Sequence, residues 1–203
     1  MGSAQNGKFS YAFYPPKTSV DTTAKPLFIL FHPAGSSGDD YIERWVPLLG
    51  KWGYVFAPTA GVETSYGSSE FEGKFREELQ KFQNRFPIDP SRIILISESN
   101  GAIYGYRLLV TRPDLFKIAI FISGFLEDKT LAKLSTKKDE IKTKMLIVHG
   151  TNDEVFNFET AKKTASDLKA IGLNAELIEM QGMQHGADPF CEDEIEKWLE
   201  KEI

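Results

Sequence analysis

A chain of 203 residues with 41% hydrophobic and 26% charged positions has the make-up of one globular domain, expected to span 1–203 around a sizeable core. Its formal net charge of −5 argues against nucleic-acid binding, which calls for a basic patch, and does not favour anionic substrates. A single cysteine, Cys191, closes no internal disulfide; three histidines with one cysteine make no zinc cluster unless carboxylates join; and no apolar run nears the roughly 20 residues of a membrane span.

The start, Met1-Gly2-Ser3-Ala4-Gln5-Asn6, is polar and lacks a signal-peptide pattern, so a cytoplasmic location is expected. It opens like a myristoylation site, but Asn6 stands where Ser or Thr is wanted. Met1-Gly2-Ser3 also suits an expression scar, which leaves a removed signal peptide open. Phe9–Tyr14, Leu27–Phe31, Tyr54–Ala57, Ile93–Ile96, Ile118–Ile122, Met145–Val148 and Ala175–Ile178 read as strands. The middle ones are continuous apolar runs, the mark of strands buried on both faces of a parallel sheet. Between them lie amphipathic helices. Asp39 or Asp40 caps one that runs through Trp45 and Leu49 and stops at Gly50 or Gly53. Phe71, Phe75, Leu79 and Phe82 give one apolar face to a second. Asn100–Val110, Phe158–Ile171 and Glu192–Ile203 follow. Lysine-rich Asp128–Lys144 reads as a solvated surface helix and loop, or as a small cap element. The alternation predicts a doubly wound, mostly parallel α/β sheet with helices on both faces and no substantial lid.

Four segments carry chemistry. Arg92-Ile-Ile-Leu-Ile-Ser97-Glu98-Ser99-Asn100-Gly101 is a buried strand, a tight turn, then a helix. It resembles the nucleophile elbow, in which small residues flank a strained serine so that strand and helix pass closely. Ser97 holds the first glycine position. Leu30-Phe31-His32-Pro33-Ala34-Gly35-Ser36-Ser37-Gly38 is a glycine-containing loop straight after a strand, placed to supply half of an oxyanion hole. Pro33 has no N–H, so the donor falls to Ala34, paired with the N–H of Asn100. Met145-Leu-Ile-Val-His149-Gly150-Thr-Asn-Asp153-Glu154 ends a strand with a carboxylate, and Gly182-Met-Gln-His185-Gly186-Ala-Asp188 puts a histidine in the loop after the last strand. The order decides among weak local signals. α/β-Hydrolases carry nucleophile, acid and histidine in that sequence. His32 and His149 precede the acid, so only His185 closes the order Ser99…Asp153…His185.

Over nearly its whole length the chain therefore resembles an α/β-hydrolase serine esterase. Phe86-Pro-Ile-Asp-Pro-Ser-Arg-Ile…Ser99-Asn-Gly, with Arg112-Pro-Asp-Leu-Phe and Ile122-Ser-Gly, resembles the polyhydroxybutyrate-depolymerase/feruloyl-esterase-like branch, and the chain is also similar to the carboxylesterase/phospholipase branch. The resemblance implies Ser99 as nucleophile, Asp153 as acid, His185 as base, the Ala34 and Asn100 amides as oxyanion hole, and neither cofactor nor metal. Three positions depart from the pattern: Ser97 for glycine, Pro33 for the glycine after the loop histidine, and Phe156-Asn157 for Val-Pro after the acid. The expected substrate is a small ester of short or compact acyl chain, because little sequence is left for a lid. Tyr66 and Phe125 are candidate pocket walls. Glu98 either bonds behind the triad or faces the site. Alternatives are a thioesterase, an acyltransferase, a lipid or peptide hydrolase on the same triad, or a non-catalytic binder of the same fold.

Overall fold

A computed structural model describes residues 9–16, 23–61 and 65–203; the start on which the leader and location readings rest lies outside them. Seven strands form one sheet: β1 Ser10–Tyr14, β2 Lys25–Phe31, β3 Tyr54–Thr59, β4 Ile88–Glu98, β5 Ile118–Ile122, β6 Lys144–Gly150 and β7 Ala175–Met180. The spatial order is β1-β3-β2-β4-β5-β6-β7, with every pair parallel except the edge pair β1–β3. Among the described residues five helices connect them, α1 Gly38–Leu49, α2 Ser69–Arg85, α3 Asn100–Thr111, α4 Asp128–Lys137 and α5 Phe158–Ala170, and α6 Pro189–Glu202 follows β7.

The two-residue period of the strands sorts side chains between two cores. Leu27, Ile29 and Phe31 of β2 and Ile93 and Leu95 of β4 join the apolar faces of α2, α3, α4 and α5. Phe28, Leu30, Ile94 and Ile96 join Tyr41, Ile42, Trp45 and Leu49 of α1 and Cys191, Ile195, Trp198 and Leu199 of α6. This is the doubly wound fold expected. Asp128–Lys137 is the expected surface helix: it turns Thr130 and Leu134 inward and packs on α3.

Several boundaries differ from the reading. The cap of α1 is Ser37, not Asp39 or Asp40: its Oγ accepts from the Asp40 N–H at 3.1 Å and donates to Asp40 Oδ2 at 2.7 Å. Serine reaches the third amide while an acid there reaches back, so the two satisfy each other. Helix α6 begins at Pro189, three residues early, because Asp188 Oδ1 accepts from the Cys191 N–H and proline suits a first turn. Strand β4 begins at Ile88, where Lys25 pairs with it.

Candidate active site

The carboxyl ends of β2, β4, β5, β6 and β7 gather the site, as open parallel sheets do. Ser99 joins β4 to α3 with φ 52° and ψ −117°, a conformation few residues other than glycine adopt. It caps α3 without spending its side chain on the helix, which leaves Oγ free. Gly101 makes the turn possible. A Cβ there would lie 2.3 Å from the Phe31 carbonyl oxygen and 2.9 Å from that of His32. The helix start thus presses directly on the strand end that leads into the 32–38 loop. Ser97, in the other small-residue position, is accommodated because its hydroxyl donates to the Ile120 carbonyl at 3.0 Å.

Asp153 and His185 arrive on two loops packed against each other. A Cβ on Gly150 would sit 2.0 Å from the Met183 carbonyl, and Asn152 N–H donates to that same oxygen at 3.1 Å. Asp153 Oδ1 accepts the amides of Val155 at 2.9 Å and Phe156 at 2.8 Å. Oδ2 lies 2.8 Å from His185 Nδ1 and 3.2 Å from His149 Nε2. Burial alone would raise the Asp153 pKa, but the amides and His185 outweigh it and hold the carboxyl below its usual range. His185 Nε2 stands 2.9 Å from Ser99 Oγ. The hydrogen bonds therefore run without a break from carboxylate through imidazole to hydroxyl. With a proton on Nδ1 toward Asp153, Nε2 is free to accept the serine proton.

The 32–38 loop is held by a buried imidazole. His32 Nδ1 donates to the Pro33 carbonyl at 2.8 Å, and Nε2 accepts the Ala60 N–H at 2.9 Å. The bond accepted at Nε2 requires the neutral ring, and burial lowers the His32 pKa accordingly. Ala34 opens the exposed turn that follows, closed by Ser36 N–H on the Pro33 carbonyl. Asn100 supplies the first amide of α3. The two expected oxyanion donors thus sit on segments that meet at Gly101.

Tyr66 is buried rather than open: its ring lies parallel to Tyr104 at 5.1 Å and its hydroxyl donates to the His32 carbonyl at 3.3 Å, so it props the loop from below. Phe125 is half-buried and meets Phe156 edge-on at 5.0 Å, and Phe156 meets the His185 ring edge-on at 5.4 Å. Phe156 is thus more than a departure from the family pattern, and an aromatic three residues after Asp153 is its signal in the sequence. In the sequence, His149 reads only as a candidate base. Here Nε2 of that ring is 2.7 Å from the Phe156 carbonyl, so its N–H supports the acid loop. Ser123, with φ 46°, accepts the Gly186 N–H at 3.0 Å and so holds the residue after His185. Among the described residues no group of three or more His, Cys, Asp or Glu side chains is placed to hold a metal.

Comparison with known proteins bears on the fold and the family. The chain is 27% identical over 119 residues to acyl-protein thioesterase 1 of Emericella nidulans, a match covering 57% of this chain and half of that protein. Esterase PE8 shares the fold with a TM-score of 0.77 at 22% identity, over 97% of this chain and all of that one. A butyrate-bound thermophilic esterase of Thermogutta terrifontis does so with 0.72 at 16%, over 95% and 87%. The sequence pattern of the phospholipase/carboxylesterase family matches residues 67–203, and the chain belongs to that family of α/β-hydrolase-fold enzymes.

Proposed function

We propose that this chain is a serine esterase of one domain that cleaves short or compact acyl esters through an acyl-enzyme. The observation that carries the reading is the run of hydrogen bonds Ser99 Oγ–His185 Nε2–His185 Nδ1–Asp153 Oδ2, at 2.9 and 2.8 Å. In the mechanism that follows, His185 takes the hydroxyl proton as Ser99 attacks the carbonyl carbon. Asp153 keeps the imidazole in the required tautomer and stabilises its charged form. The Ala34 and Asn100 amides receive the oxyanion. His185 returns the proton to the leaving alcohol, and water repeats the sequence to release the acid. The compact-acyl preference rests on the fold: among the described residues the lysine-rich α4 is the crossover helix from β5 to β6 and lies against α3 as a charged surface helix, not as an apolar cover for a long chain. No helix among the described residues is long and apolar enough to cross a membrane.

The test is labelling by a fluorophosphonate with Ser99→Ala as control, alongside kcat/KM for p-nitrophenyl esters from acetate to palmitate. Labelling confined to the wild-type serine and a maximum at butyrate or shorter are expected. A folded Ser99→Ala variant with near wild-type turnover overturns the assignment. A second reading, thioester cleavage, is favoured by the likeness to acyl-protein thioesterase 1. Matched oxygen and thiol esters of one acyl chain separate the two, since both pass through the same acyl-enzyme and differ only in the leaving group.

A further inference from the structure

Glu98 precedes the nucleophile, and its side chain follows the parity of Ile94 and Ile96 into the layer of α1 and α6. It is 5% exposed. Its Oε1 is so close to Gly186 that a Cβ there would lie 2.8 Å from it. Three buried polar atoms without a hydrogen-bond partner among the described residues face one another here: Glu98 Oε2, the Tyr41 hydroxyl and Trp45 Nε1. The Ala187 amide and the Arg44 guanidinium also face the carboxylate. Arg44 in turn donates to the Ala187 carbonyl and, at 2.6 Å, to Glu192 Oε1. The two residues after His185 are therefore held, Gly186 by Ser123 with Glu98 packed against it, and Ala187 by Arg44.

A buried carboxylate without full hydrogen bonding is costly, and a neutral amide would serve packing alone. What the acid adds is charge. We propose that Glu98 is a positioning residue for ester cleavage: from behind the nucleophile it fixes the His185 turn and places negative charge beside the imidazolium that forms in each half-reaction. The proposal rests on the triad reading above. The charged and titratable groups facing Glu98 are Tyr41 and Arg44 from α1, His185 from its loop and Cys191 from α6. On balance burial raises the Glu98 pKa, while Arg44, Tyr41, the Ala187 amide and His185 favour its charged form.

The experiment compares wild type, Glu98→Gln, Glu98→Asp and Tyr41→Phe by pH profile, kcat and KM on p-nitrophenyl acetate, with fluorophosphonate labelling on each. Removing the charge in Glu98→Gln is expected to move the acid limb of kcat/KM about 0.5–1 unit lower. It lowers kcat about 3- to 10-fold, the same shift expressed as a rate, with KM unchanged. Glu98→Asp keeps the charge and returns the limb to its wild-type position whatever its rate. Tyr41→Phe weakens the carboxylate's support and moves the limb the same way by less, which serves as the test if Glu98→Gln fails to fold. A limb that stays put in every folded variant overturns the proposal, as does a kcat loss in Glu98→Gln that merely tracks lost thermal stability. If wild type itself does not label at Ser99, the triad reading fails and takes this proposal with it; labelling with an unmoved limb refutes Glu98 alone.

Discussion

Asp153→Asn is the most informative single change, because the carboxylate has four neighbours of known sense. Oδ1 accepts two backbone amides, and an asparagine oxygen keeps both. Oδ2 faces His185 Nδ1 at 2.8 Å and His149 Nε2 at 3.2 Å. The asparagine NH₂ would stand there, donor against donor. His185 relieves the conflict by moving its proton to Nε2, where it faces Ser99 and the base is lost. The expected fall in kcat is about 10⁴-fold, as for the same change in other triads, or ~5 kcal/mol at 1.36 kcal/mol per decade. Stability falls too, by about 1–3 kcal/mol, since the buried site then holds a poorly paired polar group. Glu154 is exposed, and Glu154→Gln should change kcat less than about threefold. Steady-state hydrolysis of p-nitrophenyl acetate and urea unfolding of both variants make the comparison. A larger kcat loss in Glu154→Gln, or more than a tenth of wild-type kcat left in folded Asp153→Asn, would refute the assignment of the acid.

Further outcomes follow from the same geometry. His32 is held neutral with its pKa below the usual 6.5, chiefly by burial. As pH falls, the unfolded chain then takes up a proton before the folded chain, so the stability His32 contributes is whole above about pH 6.5 and is lost below it. His32→Asn should flatten Tm between pH 7.5 and 5, and an unchanged slope counts against the neutral ring. Gly101→Ala drives a methyl into the Phe31 carbonyl and should lower stability by about 3 kcal/mol or more, read by urea unfolding. Glu127, paired with Arg107 at 2.7 Å across the start of α4, has its pKa held at about 2. The pair lies at the surface, half-buried, so Glu127→Gln should cost about 1 kcal/mol by the same measurement.

The inner strands were legible because a strand buried on both faces must be apolar at every position, as Ile93–Ile96 and Met145–Val148 are. The start of β4 was not: Asp89-Pro90-Ser91 reads as a turn, and it is strand only because Lys25 and Leu27 of β2 pair on either side of it. That Ser99, Asp153 and His185 meet in a run of hydrogen bonds could be anticipated because each follows a strand end and only one histidine fits the order. Their supports were not, since each depends on partners distant in sequence: Arg44 reaches Ala187 and Gly186 reaches Ser123. Tyr66 misled for the same reason. An aromatic in a loop suggests an open wall, but Phe31, Phe71 and Tyr104 arrive from three other elements to enclose it.

What brings four site segments to one point is largely the absence of side chains. Gly101 lets the helix after Ser99 touch the strand end that leads into Ala34, Gly150 lets the Asp153 loop touch the His185 loop, and Gly186 lets the His185 loop lie on Glu98 beside Ser99. The three approaches form a chain of contacts from the Ala34 loop through Ser99 and His185 to Asp153. Two of the obstructing atoms are backbone carbonyls, which no side-chain rotation can move aside. The third is the end of a flexible side chain, and there a positive φ of 94° adds the constraint that contact alone would not impose. The distances between reacting atoms are thus set by backbone packing, and the side chains inherit them. Backbone packing of this kind is what holds one strained serine with its hydroxyl 2.9 Å from His185.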